Sequence, residues 1–99
     1  MLTNKNLSKA LKLLRAYHRV PLVQISIPMG VCHSHLSELE NDRRSVTLNG
    51  LEIYSTFFKI RVSTLVYFAE ELSKLPGDAP EVDRMKVFVE ACERYEPKA

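Results

Sequence analysis

Pro21-Leu22-Val23-Gln24-Ile25-Ser26-Ile27-Pro28-Met29-Gly30-Val31-Cys32-His33-Ser34-His35-Leu36-Ser37-Glu38-Leu39-Glu40-Asn41 is the stretch on which the fold turns. Val23, Ile25 and Ile27 alternate, as they would in a strand. Pro21 suits the first turn of a helix and Gly30 the position just past its end, which selects a short helix instead. Pro28 removes a backbone donor and disfavours helix at Ile27, so the regularity of this helix stays open. Beyond Gly30, Val31, Leu36 and Leu39 share one face of a helix from about Cys32 to Asn41. Its other face shows His33, Ser34, Ser37, Glu38 and Asn41, polar but weakly charged. Asp42-Arg43-Arg44-Ser45 follows as a basic loop.

On the N-terminal side, Leu7, Ala10, Leu11, Leu14 and Tyr17 recur at steps of three and four, with Lys9, Lys12, Arg15 and Arg19 between them. That pattern predicts an amphipathic helix capped by Asn6. On the C-terminal side, Asn49-Gly50-Leu51-Glu52 has capping-box spacing and should open a helix through Phe58, with Leu51, Tyr54, Phe57 and Phe58 inward. Ser63 should cap the next helix, through about Leu75. Leu75-Pro76-Gly77-Asp78-Ala79-Pro80 reads as a linker. Asp78 and Glu81 again have capping-box spacing, ahead of a last helix to about Tyr95 whose stripe is Val82, Met85, Phe88 or Val89, Cys92 and Tyr95. The expected organisation is a domain over 1–75, a linker over 76–80 and a C-terminal helix over 81–99.

The 99 residues suffice for one domain, and 45% hydrophobic with 26% charged residues is an ordinary globular composition. No apolar run reaches the ~18 residues of a membrane span. The N-terminus lacks the continuous apolar core of a secretory signal. Cys32 and Cys92 are too far apart in sequence for a CxxC motif and are expected to be free thiols in a reducing cytoplasm. Net charge is +2, but residues 1–50 carry seven Lys/Arg against three Asp/Glu, so the first half is where a polyanion would bind.

A short helix joined through a Gly turn to a polar-faced helix is the helix-turn-helix pattern. The second helix can enter the major groove if its exposed side chains reach base edges, while the first braces it across the backbone. Residues 7–71 resemble the Cro/cI-type, or Xre, family of helix-turn-helix transcriptional regulators. The resemblance rests on Arg15, Gly30-Val31, Leu36-Ser37-Glu38-Leu39-Glu40-Asn41, Arg43-Arg44-Ser45, Leu51-Glu52-Ile53-Tyr54 and Ile60-Arg61-Val62-Ser63. Pro21-Leu22 departs from the family's Thr-Gln, Cys32 from its Ser or Thr cap, and Asp42 from the Gly after the recognition helix. The resemblance implies an all-α, lambda-repressor-like five-helix DNA-binding domain with an additional C-terminal helix. It further implies a cytoplasmic protein of bacterial or phage origin, and a homodimeric repressor on a palindromic operator.

Carried onto this chain, the family's roles make His33, Ser34 and Glu38 base contacts. His35, Ser37, Asn41, Arg43 and Arg44 become backbone or secondary contacts, and Arg15 and Glu40 a structural pair. The alternative for the histidines is an exposed polar helix face. Cys32, His33 and His35 cannot all point at one ion from consecutive helical positions, so no metal and no other cofactor is expected. No nucleophile elbow, HExxH, phosphate-binding Gly loop or dinucleotide fingerprint is present, so the chain is not expected to be an enzyme. The last helix could complete the core or form a subunit interface. Dimerisation is the favoured reading, through Tyr67, Phe68, Val82, Met85, Phe88, Val89, Cys92 and Tyr95. The other readings are a DNA-binding antitoxin whose partner is a toxin, a restriction-modification controller protein, or a protein-interaction module that has lost DNA binding.

Overall fold

The computed structural model describes residues 2–97; positions 1, 98 and 99, at the two ends of the expected units, lie outside the described residues. These residues form six helices and no strand: α1 (Asn4–Tyr17), α2 (Leu22–Met29), α3 (His33–Glu40), α4 (Leu48–Phe58), α5 (Val62–Ser73) and α6 (Glu81–Tyr95). The main core gathers Leu11 and Leu14 of α1, Ile25 of α2, Leu36 and Leu39 of α3, Leu51, Ile53 and Tyr54 of α4, and Leu65 of α5. A second cluster joins Ala10, Phe68, Ala69 and Leu72 to Ala91 of α6.

Several helix starts differ from the sequence expectation. Thr3, not Asn6, caps α1, its hydroxyl accepting from the Asn6 N–H at 3.3 Å. The apolar periodicity begins at Leu7, which hid the first turn. Thr47 caps α4, accepting from the Gly50 N–H at 3.4 Å, so Asn49 and Glu52 form no capping box. α5 opens at Val62 with Arg61 in the cap position, and Ser63 lies within the helix. Pro80, at φ −60°, leads into α6 in place of Asp78. At α1, α4 and α5 a residue N-terminal to the expected cap already had extended backbone and could hand over to the helix, whereas at α6 the extended residue lies two positions C-terminal to Asp78.

α2 is a helix and not a strand, and it runs through Pro28. The missing N–H of Pro28 would have bonded to the carbonyl of Gln24, four residues back. Both residues are exposed, so solvent can serve that carbonyl. Gly30 ends the helix at φ 64°, ψ 33°, and the Val31 N–H reaches back to the Ser26 carbonyl at 3.0 Å. The same wrapped closure recurs at Arg19, Asp42 and Lys59, all non-glycine residues with φ between 53° and 58°. Asp42 therefore adopts the left-handed turn that glycine would supply at lower cost.

α6 lies against α5 within the chain. Ala91 is fully buried. Phe88 packs edge-on against Phe68, with ring centroids 5.2 Å apart, and also against Tyr17 at 5.4 Å. Of the residues expected at a subunit interface, Phe68 belongs to the interior, being 0% exposed, while Phe88 packs over it and stays half-buried. The cause is local pairing, since the small side chains of Ala10, Ala69 and Ala91 let three helices close around these rings. At the far end, the carboxylate of Glu96 accepts from the Arg61 N–H at 2.8 Å and from the Thr64 hydroxyl, fastening the end of α6 to the start of α5.

Candidate nucleic-acid interface

Three connections hold α3 in place. Leu36 and Leu39 anchor its inner face in the core. Glu40, at its C-terminal end, is 5% exposed. Arg15 of α1 meets this carboxylate with two parallel N–H donors, Nε to Oε2 at 2.8 Å and the terminal nitrogen to Oε1 at 2.8 Å. Tyr54 of α4 donates its hydroxyl to Oε2 at 2.6 Å, and Arg15 also donates to the Val20 carbonyl at 3.1 Å. One buried carboxylate thus ties α1, the entry to α2, α3 and α4 together. Its pull raises the Arg15 pKa above the usual arginine range, against the opposing effect of burial. Burial, then the bond to Glu40, raises that of the Tyr54 hydroxyl.

The third connection was not legible in the sequence. Asn4 donates to Asp42 Oδ1 at 2.6 Å and to the Arg44 carbonyl at 3.2 Å, and accepts from the Val46 N–H at 2.6 Å. The basic loop is thereby pinned to the first turn of α1. An asparagine in a helix carries no signal of a partner some forty residues away. Tyr54 offered a weak one, because a buried phenol needs an acceptor.

The outer face of α3 is a polar surface. His33 and Ser34 are exposed at its N-terminal end, and His35, Ser37 and Glu38 are half-exposed. Imidazoles and hydroxyls present hydrogen-bond donors and acceptors in both senses. Asn41, Arg43 and Arg44 stand exposed beyond the other end. Some of these side chains already hold one another. Arg44 donates to Glu38 Oε1 at 2.6 Å, so two residues expected to make separate contacts are joined. An exposed pair of this kind is worth at most about 1 kcal/mol and opens readily. Asn41 donates to the Ser37 carbonyl at 2.8 Å. Cys32, at the head of α3, gives the helix no side-chain cap. Its thiol lies 3.0 Å from the Ser34 hydroxyl, and this contact, with the N–H groups of Ser34 and His35, lowers its pKa.

The expected interface residues on α6 divide. Val82, Met85 and Val89 are 56%, 47% and 52% exposed and form an uncovered apolar stripe. Tyr95 packs at a tilt against Tyr67, ring centroids 5.2 Å apart, and Tyr67 donates to Glu90 at 2.8 Å beneath the Arg94 guanidinium. Cys92 is half-buried, which raises its thiol pKa.

Among the described residues no group of three or more His, Cys, Asp or Glu side chains could hold a metal ion. No helix among them is long and apolar enough to cross a membrane. Comparison of the chain with protein-family models, with curated proteins and with solved structures gives no match.

Proposed function

We propose that this chain is a sequence-specific duplex-DNA-binding protein that regulates transcription, with α2 and α3 as its helix-turn-helix. The fold is then of the lambda-repressor-like type, extended by α6. The observation that carries the reading is the clamp on α3: the Arg15–Glu40–Tyr54 knot fixes the helix from within while its polar face stays open to solvent. A major-groove reader needs both properties, because base-edge hydrogen bonds demand a rigidly held helix with free side chains. Arg43 and Arg44, on the loop that Asn4 secures, are placed to meet phosphates, which give register and affinity without sequence information. His33 and Ser34 are the foremost base-contact residues. Glu38 joins them once Arg44 turns to a phosphate.

The protein acts as a homodimer in this reading, with the Val82, Met85 and Val89 stripe of α6 as the surface for the second copy, and as a repressor. Replacing Arg43 and Arg44 together by Gln should weaken duplex binding across all sequences and make it less steeply dependent on salt, by roughly one unit of log–log slope per lost phosphate contact. Unchanged binding in that variant would remove the DNA-binding reading.

A second reading, a module for a protein partner such as a toxin, is favoured by one observation. Ile27 is 74% exposed and Val23 48% on α2, and Leu48 is 62% exposed at the start of α4. These apolar groups suit a protein surface better than phosphates.

A further inference from the structure

Lys5, Lys9 and Lys12 stand four and three residues apart on α1 and share one of its faces. None of them enters an ion pair among the described residues. Like charges at this spacing repel, and a lysine in the first turn opposes the positive end of the helix dipole. The lysines are thus held at a cost to the helix that carries them. Proteins concentrate such local conflicts where function requires them.

The lysines border a cleft of about 360 Å³, bounded on the α3 side by Asn41 and Asp42. Of its two carboxylates, Glu40 is neutralised by Arg15, while exposed Asp42 accepts from the neutral Asn4 amide at one oxygen and keeps its charge, so three ammonium groups face one uncompensated carboxylate. Ser8 lines the same cleft. It is 2% exposed and its hydroxyl has no hydrogen-bond partner. Three unpaired ammonium groups around one cleft, with an unsatisfied hydroxyl buried in its wall, make a site for an oxyanion with several acceptor oxygens.

We infer that this cleft is a phosphate-binding site, and that the phosphate it takes belongs to the backbone of a DNA duplex, on the flank of the segment under α3. The inference rests on the duplex-binding reading. Asn4 holds the Arg43–Arg44 loop against the first turn of α1, so the lysines extend the positive charge of that loop past the C-terminal end of α3. Seven residues of helix separate Lys5 from Lys12, a rise of about 10 Å.

The test uses the full chain and two probes. The first is inorganic phosphate titrated against chloride at equal ionic strength, followed by the backbone amide resonances of Ser8, Lys9, Asn41 and Asp42. The second is a DNA duplex to which the chain binds, either trimmed to the bases under α3 or extended by about one helical turn, ~10 bp, at each end. Phosphate should give saturable shifts that vanish when Lys5, Lys9 and Lys12 are all replaced by Gln. That variant should bind the extended duplex about tenfold more weakly, with its salt slope reduced by about 1, at roughly 0.9 for the one phosphate lost. It should bind the trimmed duplex as the parent chain does. Ser8→Ala should weaken phosphate binding and leave the salt slope alone.

Phosphate shifts that persist in the triple variant would overturn the site. So would a triple variant that matches the parent on both duplexes, and if Arg43 and Arg44 still mattered there, duplex binding itself would stand. Saturable phosphate binding by a chain that binds no duplex would overturn the DNA source, and the proposed function with it.

Discussion

The two ends of the molecule are held by different physics. Around α3 the decisive contacts are polar and buried: one carboxylate, Glu40, receives the Arg15 guanidinium and the Tyr54 hydroxyl. Around α6 they are aromatic and apolar, with Phe88 set among Phe68, Tyr17 and His18. A buried ion pair adds little net stability over apolar residues of the same volume, yet losing one partner leaves a charge stranded. Apolar packing is more forgiving of orientation and rewards area. The knot therefore fixes the orientation of α3 relative to α1 and α4, while the aromatic corner supplies cohesion where orientation matters less.

The largest expected effect is at the knot. Glu40→Ala strands the Arg15 charge and the Tyr54 phenol, and should cost about 3–5 kcal/mol, read from urea unfolding. Arg15→Met, Glu40→Leu and Tyr54→Phe together should cost less than Glu40→Ala alone, because no charge is then stranded and only the part-buried Val20 carbonyl loses a donor. If the triple replacement cost more, the knot would be a source of stability and the contrast between the two regions would fail.

Next comes the aromatic corner. Phe88→Ala should destabilise the monomer by about 3 kcal/mol, the low end for a Phe because the ring is only partly covered. A helix serving chiefly as a subunit interface would instead show its loss in the concentration dependence of assembly. In contrast, Met85→Ser, on the exposed stripe, should leave monomer stability within about 0.5 kcal/mol and raise the dissociation constant of the proposed dimer.

Much of this architecture was legible in the sequence. Gly30 marks the end of α2 because only a left-handed residue can close that helix, and Leu36 and Leu39 mark the buried side of α3. Arg15 and Glu40 could be paired only through the resemblance, since nothing local joins residues 25 positions apart. The helix caps were misread because Asn6, Asn49, Ser63 and Asp78 are good capping residues by type. The choice among neighbouring polar residues is made by tertiary packing. Phe68 lies inside, not at an interface, for a related reason: an apolar position looks the same in sequence whether its own chain or a second copy covers it. Asn4 gave no sign at all.

Smaller effects sharpen the contrast further. Lys59→Gly should stabilise the chain by about 1 kcal/mol, because the residue sits at φ 58° where a side chain is strained. Asp42→Gly should gain less, since it loses the bond from Asn4. At alkaline pH, burial pushes the Tyr17 hydroxyl up to about 12 in the folded chain, above the value near 10 of the unfolded chain. The unfolded chain therefore ionises first. Stability is full below pH 10 and falls as pH rises from there towards 12. Tyr54 shifts in the same direction. Tyr17→Phe removes a buried hydroxyl that has no hydrogen-bond partner, so it should match or slightly exceed the parent stability at pH 7. It should also lose less between pH 10 and 12, read by thermal unfolding at fixed ionic strength.

The central claim, that α3 is a rigidly held reader of duplex DNA, is tested most directly by selecting bound sequences from a random double-stranded pool with the purified chain at near-physiological salt. The account predicts enrichment of a two-fold symmetric motif, with half-sites about one helical turn, ~10 bp, or a multiple apart. Recovery of the pool without enrichment, with only salt-sensitive binding or none, would contradict it and turn attention to a protein partner for the apolar surfaces of α2 and α6.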